Sequence, residues 1–402
     1  MDTRTPRATS RRTLLRSAAV LGGALAAGGL APLGRALGGA PAIIKALPPQ
    51  WFVDYGTNAE MRWESVRSRD YLTSAARLFV RNHTATPTID ASTYALRIFG
   101  DGLRDPRTSD DPVVLRLRDL ERLPRTKLVT THECTGNGRS FFGSQQGTPA
   151  SGTPWTLGAV GSVEWEGVRL RDVLRRLGLD PEAVSIQATG LDPNYVSGGV
   201  DYGPVRRPFP VSKALDDALL VWRMNGEPLL PDHGYPLRLV LPGWVGIGSI
   251  KWLGSLEVSR TQLTSPWNTK WYRMTGGSYP VDSPPLTANP VRSAWELPRN
   301  AQLPSQRRVV LTGRSWSGAA PVRRVDVSVD GGATWSRARI ERPAKQQGWT
   351  QWSYSWSRPT AGDHVLMARA TDAAGRTQPL ETPFNDNGYF FDAVVRHPVT
   401  VG

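Results

Sequence analysis

Three stretches with different patterns of apolar positions follow one another along the chain. From Trp51 to about Arg260, short apolar runs are separated by loops rich in Gly, Pro, Asn and Asp, and helical periodicity is scarce. Leu170, Val173, Leu174 and Leu177 recur at helical spacing and stop at Gly178, a residue suited to the left-handed cap that ends a helix. Leu219-Leu220-Val221-Trp222 followed by Asn225-Gly226 predicts instead a strand entering a hairpin. Few helices among many short strands make this first part α+β. Between about Thr261 and Pro298 the pattern lapses into Pro, Ser, Thr and Asn, including Ser283-Pro284-Pro285 and Asn289-Pro290, which predicts a connection between domains. Beyond it the alternation is clean. Val325, Val327 and Val329 share a face, Asp330-Gly331-Gly332 turns the chain, Trp352, Tyr354 and Trp356 alternate again, and a further strand covers Val365 to Ala370. Strands and turns at that spacing predict a β-sandwich of about 100 residues.

Composition narrows the picture. The chain has 402 residues, 40 of them Gly and 33 Pro, with 39% hydrophobic and 21% charged positions, so it reads as two globular domains rich in turns. One cysteine excludes an intrachain disulfide framework, a CxxC zinc or iron–sulfur site and a covalently attached CxxCH haem. Any redox metal must then be held by few protein ligands. The net charge of +14 would fit nucleic acid, but the basic residues are scattered, with no Lys/Arg run interleaved with aromatics, and no nucleic-acid partner is expected.

Part of that charge belongs to the start of the chain. Ser10-Arg11-Arg12-Thr13-Leu14-Leu15-Arg16 precedes a Gly/Ala/Leu stretch from Ser17 to about Leu33 and resembles a twin-arginine export signal, a receptor-read address for proteins exported already folded. A small-residue cleavage site falls near Ala40-Pro41-Ala42, and removal of residues 1–42 leaves a net charge of +9. The expected location is periplasmic or extracellular, membrane-anchored if the leader is retained. The expected organisation is a leader over 1–42, a catalytic part over 43–265, a connection over 266–290 and a sandwich over 291–402.

The chemistry concentrates around the cysteine. Thr131-His132-Glu133-Cys134-Thr135-Gly136-Asn137-Gly138-Arg139-Ser140 follows the apolar Leu128-Val129, at the end of a strand and in a glycine-rich loop. A lone cysteine is more often an inert buried residue. Here glycines on both sides allow a bulky ligand to approach the backbone, Arg139 is spaced to stabilise a thiolate or an anion, and a soft thiolate suits a redox metal. Arg81 and Arg139 offer planar forks for a tetrahedral oxyanion, while His83 and His233, beside Arg238 and Lys251, suit a phosphate. Competing signatures are weak: there is no HExxH, GxSxG or Walker loop, and Gly246-Ile247-Gly248 lacks the third glycine of a dinucleotide fingerprint.

The cysteine segment resembles the cysteine loop of the sulfite oxidase family of molybdenum-cofactor enzymes. Other stretches agree in order: Phe79-Val80-Arg81-Asn82-His83, Trp155-Thr156-Leu157-Gly158-Ala159-Val160 running into Gly167 to Leu174, Met224 to Leu229, Asp232 to Arg238, and Ile250-Lys251-Trp252-Leu253. Ser315-Trp316-Ser317-Gly318 and Val325 to Trp335 resemble the family's dimerisation domain. The resemblance implies a molybdopterin-binding domain followed by an immunoglobulin-like sandwich, and a molybdenum–molybdopterin cofactor without haem. It further implies Cys134 as metal ligand, pterin contacts from Arg81, Asn82, His83, Asp192, His233, Arg238, Ser249, Ile250 and Lys251, and a substrate site of Arg81, Arg139, Trp155 and Tyr202. The expected reaction is oxidation of sulfite to sulfate in a homodimer, with electrons leaving to a separate acceptor such as a c-type cytochrome. The chain also departs from the family: Asn387 stands where an arginine reaches the substrate, Gly248 replaces a pterin-side arginine, and the loop from Asp192 to Pro210 is longer. Arg206 or Arg207 in that loop is expected to supply the missing cation. These departures keep open a sulfane-sulfur dehydrogenase, then a nitrate reductase. Outside the enzymes, a secreted β-sandwich binding protein is the alternative.

Overall fold

A computed structural model describes residues 42–402 apart from 68 and 278, and the expected leader lies outside the described residues. The helical period at 170–177 folds as expected. Leu170–Leu177 is an α-helix with Leu170, Val173 and Leu174 buried, and Gly178, at φ 80°, closes it by donating its N–H to Arg175. Strand Leu219–Met224 turns back through Asn225 and Gly226, both at positive φ (53° and 83°), the two-residue geometry whose twist matches that of the strands.

Two five-stranded sheets carry the first part. One runs, in spatial order, Arg206–Pro210, Ser185–Gly190, Leu253–Ser259, Ala95–Phe99 and Val113–Arg116, antiparallel except for the parallel pair Leu253–Ser259 with Ala95–Phe99. The other orders Glu227–Pro228, Leu219–Met224, Val160–Arg169 and Arg125–Glu133, with Arg238–Val240 added on Leu219–Met224. Arg125–Glu133 pairs along all nine residues with Val160–Arg169. The chain leaves this rigid strand at Glu133 and turns at once through Cys134.

Residues 266–290, expected as a connection, pack into the first part. Ser265 starts the short helix Pro266–Thr269 with a capping box to Asn268, and Trp267 and Tyr272 are buried. The reason is a buried cation. Arg207 donates to the carbonyls of Trp267 and Leu286, so the loop closes over its guanidinium and fixes the stretch in place.

The last part is a sandwich. One sheet orders Arg292–Trp295, Arg308–Trp316, Thr350–Ser357 and Arg339–Arg342; the other orders Ala301–Leu303, His397–Val401, Gly362–Asp372, Val322–Ser328 and Ser336–Arg337. Val325 and Val327 face inward against Leu311, Trp352 and Leu366, and Trp295 meets Trp352 edge-on at 4.7 Å. A separate cluster joins Trp63, Phe141 and Phe142 to Trp316, Trp349 and Phe391, and Trp63 donates to the carbonyl of Trp295 at 2.7 Å. Each such buried side chain contributes about 1.5–3 kcal/mol. The described residues therefore form one compact unit in which the sandwich shares a core with the cysteine loop.

Candidate functional site

A cavity opens where Cys134 leaves its strand. Its wall brings together residues far apart in sequence: Arg81, Asn82, His83, Cys134, Asp192, His233, Arg238, Ser249, Ile250 and Lys251 all line it. These are the ten positions that the family resemblance assigns to cofactor and metal. His132, Thr135, Asp232 and Tyr272 line it too.

Strand alternation explains part of this. His132 and Cys134 lie two residues apart and face the cavity together, with Glu133 on the other side. Close backbone packing explains more: a Cβ on Gly246 would lie 2.8 Å from the Glu133 carbonyl oxygen, so glycine lets that segment close against the cysteine loop. Asp232 is fully buried and accepts from Thr86 Oγ1 at 2.6 Å and from the Ile44 and Lys45 amides at 3.0 and 2.7 Å. That bond set ties residues 44 and 45 to the cavity floor.

Basic groups crowd one end. Arg238 donates to His132 Nε2 at 2.7 Å and to the His233 carbonyl at 3.1 Å. Lys251 donates to Asn82 Oδ1 and to the Asp232 carbonyl at 2.9 Å. Burial pushes Arg238 down to about 9 and Lys45, despite Asp232, down to about 7. Burial, reinforced by neighbouring cations, holds His132, His233 and Lys251 well below their ordinary values. Asp192 moves the other way, up to about 6, again through burial. Basic groups are thus gathered where burial disfavours their charged forms. An anionic group would relieve that cost.

Around the cysteine the pattern differs. Burial pushes the Cys134 thiol up, while Arg81, Arg139 and the Gly136 amide pull it down. A metal cation would displace the proton and leave a soft thiolate ligand. Arg81 faces the cavity with a buried Nη1 that has no hydrogen-bond partner among the described residues. His83 accepts at Nε2 from Trp267 Nε1 at 3.1 Å, with the Tyr272 hydroxyl 3.3 Å away. That leaves Nδ1 free to donate.

Three positions expected at the substrate end do not line the cavity. Arg139 is buried, with Nε on the Asn387 carbonyl and Nη1 on the Thr153 carbonyl, both at 2.8 Å. Trp155 is buried behind the wall, edge-on to Phe79 and Tyr55. Tyr202 is partly exposed in an aromatic group with Tyr195 and Trp271, its hydroxyl taking a bond from Lys270. The tyrosine at the cavity is Tyr272, which sequence reading missed because it lies in the Pro-rich stretch. Its neighbours are its only signal. The expected compensating arginine is absent as well: Arg206 donates to the Tyr202 carbonyl, and both Nη groups of Arg207 are used by carbonyls of the segment it buries.

A molybdopterin fits this wall. The buried basic groups meet the demand of a phosphate, Arg81 Nη1 and Arg238 Nε are buried donors without partners among the described residues, and Cys134 presents the single thiol. Asn82, His83, His233, Arg238 and Lys251 would hold the pterin and its phosphate, with Cys134 on the metal.

Both parts of the chain match known families. The oxidoreductase molybdopterin binding domain family matches residues 83–267, and the Mo-co oxidoreductase dimerisation domain family matches residues 287–401. The mitochondrial sulfite oxidase of Homo sapiens is 33% identical over 331 residues, covering 78% of this chain and 58% of that protein. The chain thus spans less than two thirds of the length of that relative. The crystal structure of the sulfane dehydrogenase SoxCD from Paracoccus pantotrophus superposes with a TM-score of 0.71 at 27% identity, covering 84% of this chain and 83% of that one. The sulfite oxidase of Arabidopsis thaliana is 30% identical and matched over 85% of its length by 79% of this chain, and with both domain families in the same order the chain belongs to the sulfite oxidase family.

Proposed function

We propose that this chain is a molybdenum-cofactor oxidoreductase that oxidises sulfite to sulfate and passes the electrons one at a time to a separate acceptor such as a c-type cytochrome. One observation carries the reading: the only thiol of the chain stands in the wall of a cation-lined cavity beside an arginine with a free buried donor. When bound, the molybdenum centre supplies two-electron oxidation coupled to oxygen-atom transfer. The protein supplies the rest. Arg81 orients the oxyanion by charge-assisted hydrogen bonds, His83 is kept neutral by burial and nearby cations, and Tyr272 and Trp267 fix the histidine ring. Export through the twin-arginine pathway and a homodimer built on residues 287–401 belong to the same proposal.

A specific observation favours a second reading. Arg139 gives two of its donors to carbonyls and Asn387 stands where a second substrate cation would be, so among the described residues Arg81 is the guanidinium left to face the substrate. A sulfane sulfur carried on a partner needs less positive charge than a free dianion, and the likeness to the sulfane dehydrogenase points the same way. Steady-state assays on the purified protein with sulfite, thiosulfate, a persulfidated peptide and nitrate decide between them. Sulfite is expected to give the highest kcat/KM. Turnover of the persulfidated peptide alone would transfer the assignment to sulfane sulfur.

A further inference from the structure

The cysteine loop is held from the sandwich. Glu133, directly before Cys134, turns its buried carboxylate away from the cavity. Its Oε1 accepts from Arg292 Nη1 at 2.9 Å and from Asn137 Nδ2 at 2.8 Å, and its Oε2 accepts from Trp316 Nε1 at 2.8 Å. Arg292 and Trp316 are directly paired across the antiparallel strands Arg292–Trp295 and Arg308–Trp316. Arg292 Nη1 also donates to the Asn137 carbonyl at 2.6 Å, while the Asn137 amide closes the turn on the Cys134 carbonyl at 2.9 Å. Glu133, Asn137, Arg292 and Trp316 are at most 3% exposed. Gly138 completes the fit: at φ 86°, a Cβ there would lie 2.5 Å from Arg292 Nη2.

We propose that Arg292 and Trp316 are positioning residues for the metal site, so that the sandwich sets the direction in which Cys134 presents its sulfur. The inference rests on Cys134 being the metal ligand. A ligand held by one backbone turn moves when the turn moves, and here the turn is fixed through a carboxylate one residue away. A purely structural ion pair would also be buried, but it would not need to engage both oxygens of the residue preceding the ligand and a carbonyl inside the ligand's own turn.

The test compares full-length wild type with Arg292→Lys, with the double variant Glu133→Gln/Arg292→Met and with Trp316→Phe. Neutralising both partners avoids leaving a lone buried charge, and Trp316→Phe removes one hydrogen bond while keeping an aromatic ring, should the double variant fail to fold. Circular dichroism establishes the fold. The readouts are the rate of iodoacetamide alkylation at Cys134, the only cysteine, in the metal-free fraction where the thiol is not ligated, and, for the metal-loaded fraction, the Mo(V) g-values and the split between kcat and KM. The double variant is expected to be alkylated at least tenfold faster, with displaced g-values and a kcat at least tenfold lower at a KM within twofold. Trp316→Phe should change alkylation about threefold, and Arg292→Lys should restore most wild-type behaviour. Folded double and Trp316→Phe variants with wild-type alkylation and g-values would overturn the proposal. A wild type without molybdenum would instead refute the proposed function, and alkylation would still decide whether the sandwich holds the loop.

Discussion

The two ends of the cavity are built on opposite electrostatic plans. At the cofactor end, Lys45, His132, His233, Arg238 and Lys251 are packed together with Asp232 and Asp192 as the carboxylates, and burial drives each of the five basic groups toward neutrality. At the substrate end, Arg81 keeps a buried donor without a partner among the described residues while Arg139 is tied to carbonyls. An anion bound at the first end would favour the charged forms of those groups. The second offers little charge, so selectivity there depends on one fork and on the shape around Tyr272. A bound cofactor and a transient substrate need that difference.

The largest effect should come from removing the ligand between the two ends. Cys134→Ser is expected to fall to background turnover with the fold kept, because a hydroxyl is a poor substitute for a soft thiolate. Activity per chain and circular dichroism measure this, and near-normal turnover would remove the cysteine from the mechanism.

The two ends should then separate. Lys251→Met should lower molybdenum and pterin retained per chain about tenfold to hundredfold, as loss of a charge-assisted hydrogen bond of about 1.5–3 kcal/mol implies, with turnover per bound molybdenum within threefold. Arg81→Ala should do the reverse, lowering kcat/KM about tenfold to hundredfold with most metal retained. Metal analysis beside steady-state kinetics reads both. Equal losses of metal in the two variants would erase the distinction.

The loop arginines sharpen it further. Arg206→Ala should keep kcat/KM within about twofold, since among the described residues its hydrogen bonds go to carbonyls of its own loop and its guanidinium stacks over Trp267 rather than lining the cavity. Arg207→Met should lose about 1–3 kcal/mol of stability through carbonyls left unpaired in a buried site. A large kinetic loss in Arg206→Ala would return a second cation to the substrate end.

The smallest expected effect lies far from the cavity. His397, buried and donating to the Pro298 carbonyl, is held down to about 4 by burial. The unfolded chain takes up this proton first as pH falls, so the contribution is complete above about 6.5 and is lost progressively toward 4. Between pH 6.5 and 5 that amounts to about 2 kcal/mol. Urea titrations at pH 7 and pH 5 should show His397→Gln losing about that much less than wild type, with kcat unchanged. Parallel losses in the two proteins would mean that the imidazole is not held neutral.

Much of this was legible in the sequence because it depends on neighbours along the chain. The helix ending at Gly178, the Asn225-Gly226 hairpin and the alternation at Val325 and Val327 all follow from local period and turn chemistry. At the cofactor end His233, Arg238 and Lys251 were legible through short ordered motifs that resemble the family's, whereas Lys45, His132 and Asp232 were not assigned. What was hidden depends on distant carbonyls. Nothing local shows that Arg207 will be buried under Trp267 and Leu286, that Arg139 will be tied to Thr153 and Asn387, or that Glu133 meets Arg292 and Trp316. Tyr272 was lost for the same reason: composition marks its stretch as a connection, and only the burial of Arg207 turns that stretch into a wall of the site.

One measurement tests the central claim most directly: sulfite-dependent reduction of a c-type cytochrome by the purified full-length protein, with molybdenum counted per chain in the same sample. The account predicts turnover that scales with molybdenum and vanishes in Cys134→Ser. Protein that folds and dimerises without molybdenum, or that turns over sulfite equally well without Cys134, would contradict it.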